Sequence, residues 1–172
     1  MQEKVAHSNS GVEVGIKCSC GSKDCVELVA TGSGLNKSAR ILSSSHKTQL
    51  YIPQDENIKV DTKEIFFLYQ QNDELCVRLA NNAITAIVNL IMNLIRVSDP
   101  DMVILGGSII SDGFLYSKIL DRLNKTATRF VTNVIVLNQL DPNIAGLLGA
   151  AAVASEEYSV YKRTELKSSN AQ

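Results

Sequence analysis

Three of the four cysteines and one of the two histidines lie close together near the start of the chain. Cys18, Cys20 and Cys25 follow the spacing C-x-C-x4-C, and Gly21 gives the backbone between them freedom to turn. Thiolates and neutral imidazole are preferred zinc ligands, and four of them in a tetrahedron make a closed structural site. The sequence therefore predicts a zinc site with His7 as the fourth ligand.

Two other roles for this cluster are free surface thiols beside an unrelated histidine, and a redox pair. Exposed cysteines rarely cluster without a metal or redox role, and the thioredoxin-like spacing C-x-x-C is absent. The fourth cysteine, Cys76, lies in an apolar helical setting typical of a small buried hydrophobe. His46, among serines and a lysine, is predicted to be a solvated loop residue.

Length and composition indicate one globular domain, because 172 residues with 45% apolar side chains can bury a sizeable core. We expect this domain over residues 1–161, with the zinc loop at 7–25 and a frayed tail at 162–172. The formal charge of −1 and the lack of a long basic run argue against contact with nucleic acid or a membrane surface. Without a signal-like N-terminus or an uninterrupted apolar span, the protein is predicted to be cytoplasmic.

Helical patterns occupy the first two thirds of the chain. A broken or kinked helix is expected over 25–42, with Asp24 as a possible cap, and Asp61 is a plausible cap for the helix that follows it. The longest helical run, about 74–97, is apolar on most sides in its second half. Such a helix is predicted to lie in the core.

The last third alternates strands and helices. The segments 102–105 and 134–137 are apolar without alternation, which predicts a parallel pair of strands with both faces covered, followed by helices near 113–127 and 143–161. The fold class is therefore α/β. Two such strands make a poor sheet. Either weak strands near 12–16, where Val12, Val14 and Ile16 alternate, and near 49–60 complete it, or the missing strands lie outside this sequence. We expect the second, and therefore expect the chain to associate with another polypeptide.

The segment CSCGSKDCVE resembles the signature C-x-C-G-x-x-G-C-x-E of the ROK family, bacterial sugar kinases and sugar-responsive repressors built on the actin-like ATPase fold. Asp24 stands where the family usually has glycine. EKVAH is similar to the family's G-E-x-G-H, which places His7 on the histidine that binds zinc and borders the sugar. Lys4 then occupies the place of a sugar-binding glutamate.

Two later segments extend the resemblance over residues 3–158. SDPDMVILGGSI is similar to the family's D-P-x-x-I-V-L-G-G-G-V, with Ser108 for the third glycine, and AGLLGAAAVA is similar to its G-L-L-G-A-A stretch. The resemblance implies that Glu27 accepts hydrogen bonds from sugar hydroxyls and that Gly106 and Gly107 border the adenosine of ATP. It implies the C-terminal half of an actin-like ATPase (ribonuclease H-like) domain.

The resemblance also indicates what this chain lacks. The family's D-x-G-x-T phosphate loop, catalytic aspartate and second glycine-rich loop precede the histidine, in a segment without a counterpart here. No catalytic residue is therefore assigned, and ATP and Mg²⁺ are implied only for a complete kinase. Whether this chain belongs to an enzyme is left open at this point.

Three functions are compatible with these features. The chain is the C-terminal part of a ROK sugar kinase acting on a hexose or N-acyl hexosamine, glucokinase-like or N-acyl-hexosamine kinase-like. Alternatively, it is the sugar-sensing domain of a ROK repressor, or a non-catalytic module stabilised by zinc. As partners we expect the sugar and either further copies in a homo-oligomer or a complementing N-terminal half.

Overall fold

The structure is a computed structural model and describes residues 5–107, 109–110, 113–123, 126, 135–141 and 143–156. Lys4, Ser108 and the predicted tail lie outside the described residues. In chain order the elements are α1 (Val26–Ala30), α2 (Gly32–Leu42), α3 (Thr62–Gln70), α4 (Glu74–Ser98), β1 (Val103–Leu105), α5 (Phe114–Arg122), β2 (Ile135–Leu137) and α6 (Ala145–Glu156). The predicted α/β class is confirmed.

The break predicted within residues 25–42 is found at Thr31, between α1 and α2. The Thr31 hydroxyl accepts a hydrogen bond from the Gly34 amide at 3.1 Å and so caps α2. A Cβ at Gly34 would lie 2.5 Å from the carbonyl carbon of Leu28, so glycine allows the two helices to meet closely. The prediction that Asp24 caps this helix is wrong, because the N-cap position is Cys25, which makes no side-chain cap bond.

Helix α4 is the centre of the core. It packs against α1, α2, α3 and α5, and its buried residues include Leu79, Ala83 and Ile84. Asp73 caps it by accepting a hydrogen bond from the Cys76 amide, as Asp61 caps α3 through the amide of Lys63, so the predicted start of each helix is confirmed. Although α4 is long and apolar enough to cross a membrane, 56% of its most apolar window is buried inside the protein.

Strands β1 and β2 pair in parallel, with Val103 opposite Ile135, and form a two-stranded sheet in the part of the chain that the structure describes. The predicted pairing and the incomplete sheet are confirmed. One face packs on the core through Ile135, whereas Ile104 on the other face is 62% exposed. The prediction that both faces are covered is therefore wrong for the described residues. An apolar strand indicates a covering layer but does not say which polypeptide supplies that layer.

Residues 7–24, which precede α1, are extended but form no regular strand. This segment pairs through the isolated bridges Asn9–Cys25 and Lys17–Lys23. The alternation from Val12 to Ile16 reflects inward-facing Val12, Val14 and Ile16 between exposed neighbours. This segment and the start of α1 carry the four candidate metal ligands and Glu27.

Candidate metal centre and the adjoining carboxylate

A tight hairpin carries Cys18 and Cys20 at its tip. The Cys18 amide donates to the Ser22 carbonyl at 2.8 Å, and the Gly21 amide donates back to the Cys18 carbonyl at 3.1 Å. Gly21 has a φ of +90°, in the region that favours glycine, so the turn closes without strain. The hairpin thereby turns two thiols toward the same side of the loop.

Asp24 closes the hairpin from the other end. Its backbone has a φ of +50°, a left-handed conformation that aspartate tolerates better than most residues. Its buried carboxylate accepts hydrogen bonds from the amides of Gly15 at 3.1 Å and Ile16 at 2.8 Å. These bonds explain how an aspartate can stand where the resembled signature has glycine, because they offset the cost of the backbone conformation.

The segment after His7 runs alongside the start of α1. The Val26 amide donates to the Ser8 carbonyl at 3.0 Å, and the Ser10 amide donates to the Asp24 carbonyl at 3.3 Å. The Cys25 thiol donates to the carbonyl of His7 itself at 3.3 Å. Main-chain pairing thus brings the histidine back to the cysteines across a gap in sequence.

The four predicted ligand side chains converge. One ligand atom from each of His7, Cys18, Cys20 and Cys25 can be chosen so that all four lie within 4.8 Å of one another. Cys20 Sγ is 3.5 Å from Cys25 Sγ, and Cys18 Sγ is 3.3 Å from His7 Nδ1. Ligand atoms around tetrahedral zinc lie about 3.8 Å apart, given Zn–S distances near 2.3 Å. The donor set and its spacing therefore fit a zinc ion.

The thiols differ in acidity because their surroundings differ. A hydrogen bond from the Ser22 backbone, helped by the Cys18 and Cys25 thiols, lowers the pKa of Cys20 to about 6. Burial, followed by the effect of the two neighbouring thiols, raises the pKa of Cys25 to about 12. At neutral pH the cluster therefore holds a thiolate at Cys20 and a protonated thiol at Cys25, and a bound cation would displace the proton from Cys25.

Glu27 lies in the first turn of α1, two residues beyond Cys25. Its Oε2 is 3.9 Å from His7 Nδ1, and 48% of its side chain is exposed. The structure thus places the predicted sugar-binding carboxylate beside the metal-ligand cluster, within reach of a molecule from solvent. Carboxylates are strong acceptors for hydroxyl groups.

The two predicted adenosine-side glycines lie elsewhere, directly after β1. A Cβ on Gly106 would come 3.2 Å from the Cβ of Asn138, which follows β2. Gly107 has a φ of +114° with open space around it, and both glycines are exposed. The backbone here could be approached closely by a flat ligand.

Two features of this region were not singled out from the sequence. One is a contact between α4 and the zinc loop, in which the Asn89 side chain donates to the Ser10 carbonyl at 3.0 Å. Its partners are 79 positions apart, so no local pattern indicates it. The other is an open polar cavity of about 500 Å³, lined by Asn9, Gly11, Val12, Glu13, Gly15, Lys23 and Asp24.

Comparison with known proteins gives the family. The model of the ROK family matches residues 4–157. The chain belongs to the ROK family. The resemblance stated from the cysteine signature is thereby confirmed.

Among curated ROK relatives, the chain is similar to the glucokinase of Thermotoga maritima, with 27% identity over 83% of this chain and 46% of that protein. It is also similar to the N-acetylmannosamine kinase of Escherichia coli K12, with 28% identity over 81% of this chain and 43% of that protein. The ROK chain described here therefore spans less than half the length of these relatives.

Solved structures agree in fold. A ROK hexokinase from Thermus thermophilus superposes with a TM-score of 0.64 at 26% identity, over 90% of this chain and 48% of that one. A ROK transcriptional regulator, a homologue of the Escherichia coli MLC protein, superposes with a TM-score of 0.52 at 17% identity over 77% of this chain and 33% of that one, which shows a shared fold alone. Both matches agree with the predicted fold.

Proposed function

We propose that this chain is the C-terminal part of an ATP-dependent ROK sugar kinase. In that enzyme it would supply a structural zinc centre, part of the sugar site and part of the adenosine site. The observation that carries the proposal is the convergence of three thiols and an imidazole beside the exposed carboxylate of Glu27. Kinase is preferred over repressor because the two curated relatives compared above, at 27% and 28% identity, are named as sugar kinases.

The proposed zinc ligands are His7, Cys18, Cys20 and Cys25. The bound ion would supply on the order of 10 kcal/mol or more of ordering free energy to a loop with little regular structure of its own. This role is structural, because a closed four-ligand site leaves no position for a reacting molecule. The loop in turn holds the imidazole and the start of α1 in a fixed relation.

The proposed sugar contacts are Glu27 and His7. With Nδ1 bound to the ion, the imidazole keeps a proton on Nε2 and can donate a hydrogen bond. The Glu27 carboxylate can accept bonds from two neighbouring hydroxyls at once. A donor and a double acceptor side by side suit a vicinal diol, as found in a hexose or an N-acyl hexosamine.

Gly106 and Gly107 are proposed to border the adenosine. The absence of side chains after β1 would let the base and ribose lie against the backbone, near Asn138. The phosphate loops, the Mg²⁺ ligand and the base that accepts the sugar proton have no counterpart in this chain. We assign them to a complementing N-terminal half, which would also supply strands to the open sheet, in a cytoplasmic enzyme.

The uncovered apolar surface supports such a partner. Ile104 and Met102 are exposed on the sheet, and α6 exposes Leu147, Leu148 and Val153. Within the described residues, the sheet is a pair of short parallel strands with an exposed Ile104, and such a pair is a typical site for further strands. A second copy of this chain is the other candidate for covering this surface, and sedimentation of the purified chain distinguishes the homo-oligomer from a monomer that awaits its other half.

Sugar binding by the chain itself tests the proposal. Saturation-transfer NMR with zinc-loaded residues 1–172 should show signals for glucose or N-acetylmannosamine, and these should disappear in Glu27→Gln. Glu13→Gln is the matched control, since Glu13 is an exposed glutamate in the same loop, and its signals should persist. Equal signals from the chain and from Glu27→Gln, or none from either, would refute the sugar site.

ATP distinguishes the kinase from the repressor. In the same experiment the adenosine protons of ATP should receive saturation, and Gly107→Val should remove it, because a branched side chain cannot adopt the backbone of Gly107. Sugar signals without adenosine signals would favour the repressor. The chain alone should show no ATP-dependent sugar phosphorylation, since it holds no phosphate loop.

A further inference from the structure

The side chain of Asn89 projects from the core helix α4 toward the zinc loop. Its amide nitrogen donates to the carbonyl of Ser10 at 3.0 Å. Ser10 is fully buried, so its carbonyl gains little from water and depends on a protein donor. This bond joins the longest helix of the described structure to a loop without regular strands.

Gly11 leaves the space that this bond needs. It has a φ of +75°, and a Cβ built there would lie 2.2 Å from Asn89 Nδ2. Any side chain at this position would therefore push the amide away from the Ser10 carbonyl. The glycine and the asparagine form one contact, in which the small residue makes room for the donor.

Ser10 lies on the short segment that connects the metal ligands. Its amide donates to the Asp24 carbonyl, next to Cys25, and the segment begins three residues earlier at His7. A shift of Ser10 away from α4 would move the imidazole relative to the thiols. The bond to Asn89 thus affects the positions of the metal ligands indirectly, through the backbone of Ser10.

We propose that Asn89 is a positioning residue, which fastens Ser10 to α4 and thereby holds His7 at the distance from the cysteines that zinc requires. The inference rests on the zinc site of the proposed function. The hydrogen bond of Asn89 goes to the Ser10 carbonyl and not to a ligand side chain. Its effect is transmitted through the backbone of residues 7–11.

The first test measures zinc affinity by chelator competition, with circular dichroism to show that each variant is folded. Asn89→Ala should weaken zinc binding about tenfold, the equivalent of one hydrogen bond to a buried group. Asn93→Ala is the matched control, because Asn93 is exposed one turn further along the same helix, and its affinity should be unchanged. Equal affinity of the Asn89→Ala variant and the unmodified chain would overturn the inference.

A double-mutant cycle separates positioning from general destabilisation. Gly11→Ala should weaken zinc binding in the unmodified chain, because the new methyl group displaces the amide. In the Asn89→Ala background there is no amide to displace, so the same change should cost at least about fivefold less. The strain of alanine at a positive φ is present in both backgrounds and cancels. Additive effects would contradict the proposed contact.

Amide hydrogen exchange keeps the two proposals distinct. If the unmodified chain binds zinc and Asn89→Ala binds it equally well, the positioning role fails and the zinc site stands. If the unmodified chain binds no zinc, the zinc site fails, and exchange at the amides of Ser10 and Val26 still reports on the contact. In that case Asn89→Ala should speed their exchange about tenfold, and unchanged exchange would refute the contact.

Discussion

The zinc loop and the sheet side of this molecule are built in opposite ways. In the loop, residues within twenty positions of one another supply the turn, the braces and all four candidate ligands. On the other side, β1, β2 and α6 leave Ile104 and Leu147 exposed, at 62% and 72%. The zinc loop thus finds its partners within the described chain, whereas β1 and α6 keep apolar side chains exposed.

The difference follows from the range of the interactions involved. A metal site needs a few side chains at fixed short distances, and a local hairpin can provide them. A parallel sheet needs neighbours that arrive through long connections, so it cannot be completed locally. A chain that spans less than half the length of these kinase relatives can therefore bring a full set of candidate ligands together while apolar side chains of its sheet stay exposed.

The largest expected effect is the loss of a thiol from the loop. Cys20→Ser should lower the zinc content from about one ion per chain to almost none and weaken zinc binding about 1000-fold, because a serine hydroxyl does not ionise near neutral pH. Elemental analysis and chelator competition measure this. Cys76→Ala is the control: Cys76 is buried in α4, and its removal should leave the zinc content unchanged. A Cys20→Ser protein that keeps its zinc would remove the case for a self-contained loop.

The second-largest expected effect is that of pH, to which the zinc loop and the helical core should respond in different ranges. Zinc must displace the proton from Cys25, whose pKa is raised, and each displaced proton changes the affinity about tenfold per pH unit, so the affinity should fall at least about 100-fold between about pH 8 and about pH 6. The core should not respond in this range. Burial works against ionisation of Asp73, but hydrogen bonds from Cys76, Gln49 and Thr48 prevail and lower its pKa, so its contribution is lost only when the pH falls below its ordinary value of 3.8.

Competition titrations of zinc at several pH values, beside circular dichroism of α4, check this order of events. Zinc release that coincides with loss of helix would mean that the loop and the core respond to acid as one unit. A zinc affinity that is flat with pH would contradict protonated thiols in the metal-free cluster.

Loss of the Asp24 carboxylate, which bonds to two amides of the hairpin, should have a moderate effect on the stability of the loop. Asp24→Ala removes the bonds to the Gly15 and Ile16 amides and places alanine at a positive φ, so protection of these amides from hydrogen exchange should fall by about 2 kcal/mol. Asp24→Gly loses the same bonds without the strain and should fall by about 1 kcal/mol less. If the two variants exchanged alike, backbone strain would have no part in this position.

Local sequence signals predicted the helices well. The broken helix over residues 25–42 and the cap at Asp61 depend on residues within a few positions, and the structure contains both. The cysteine spacing likewise pointed to the cluster, because the spacing and the turn residue belong to one short segment. Such features need no knowledge of the rest of the chain.

The errors and omissions involve contacts that the pattern of a single helix or strand does not contain. Asp24 looked like a helix cap, but its carboxylate bonds to amides on the opposite side of the hairpin. Asn89 meets Ser10 across 79 positions, a contact that only tertiary packing creates. The apolar pattern of β1 indicated burial on both faces, but a pattern cannot tell whether the covering layer is part of the same chain.

The smallest expected effect concerns the bare face of the sheet. Ile104→Ala should change the unfolding free energy of the isolated chain by less than about 0.5 kcal/mol, because a mostly exposed side chain loses little burial. Ile135→Ala, on the covered face of the same sheet, should cost about 2–4 kcal/mol, as expected for a core isoleucine. Urea unfolding of the two variants measures the contrast. A large cost for Ile104→Ala would mean that this face is already covered within the chain, and a small cost leaves it free for the strands of a partner.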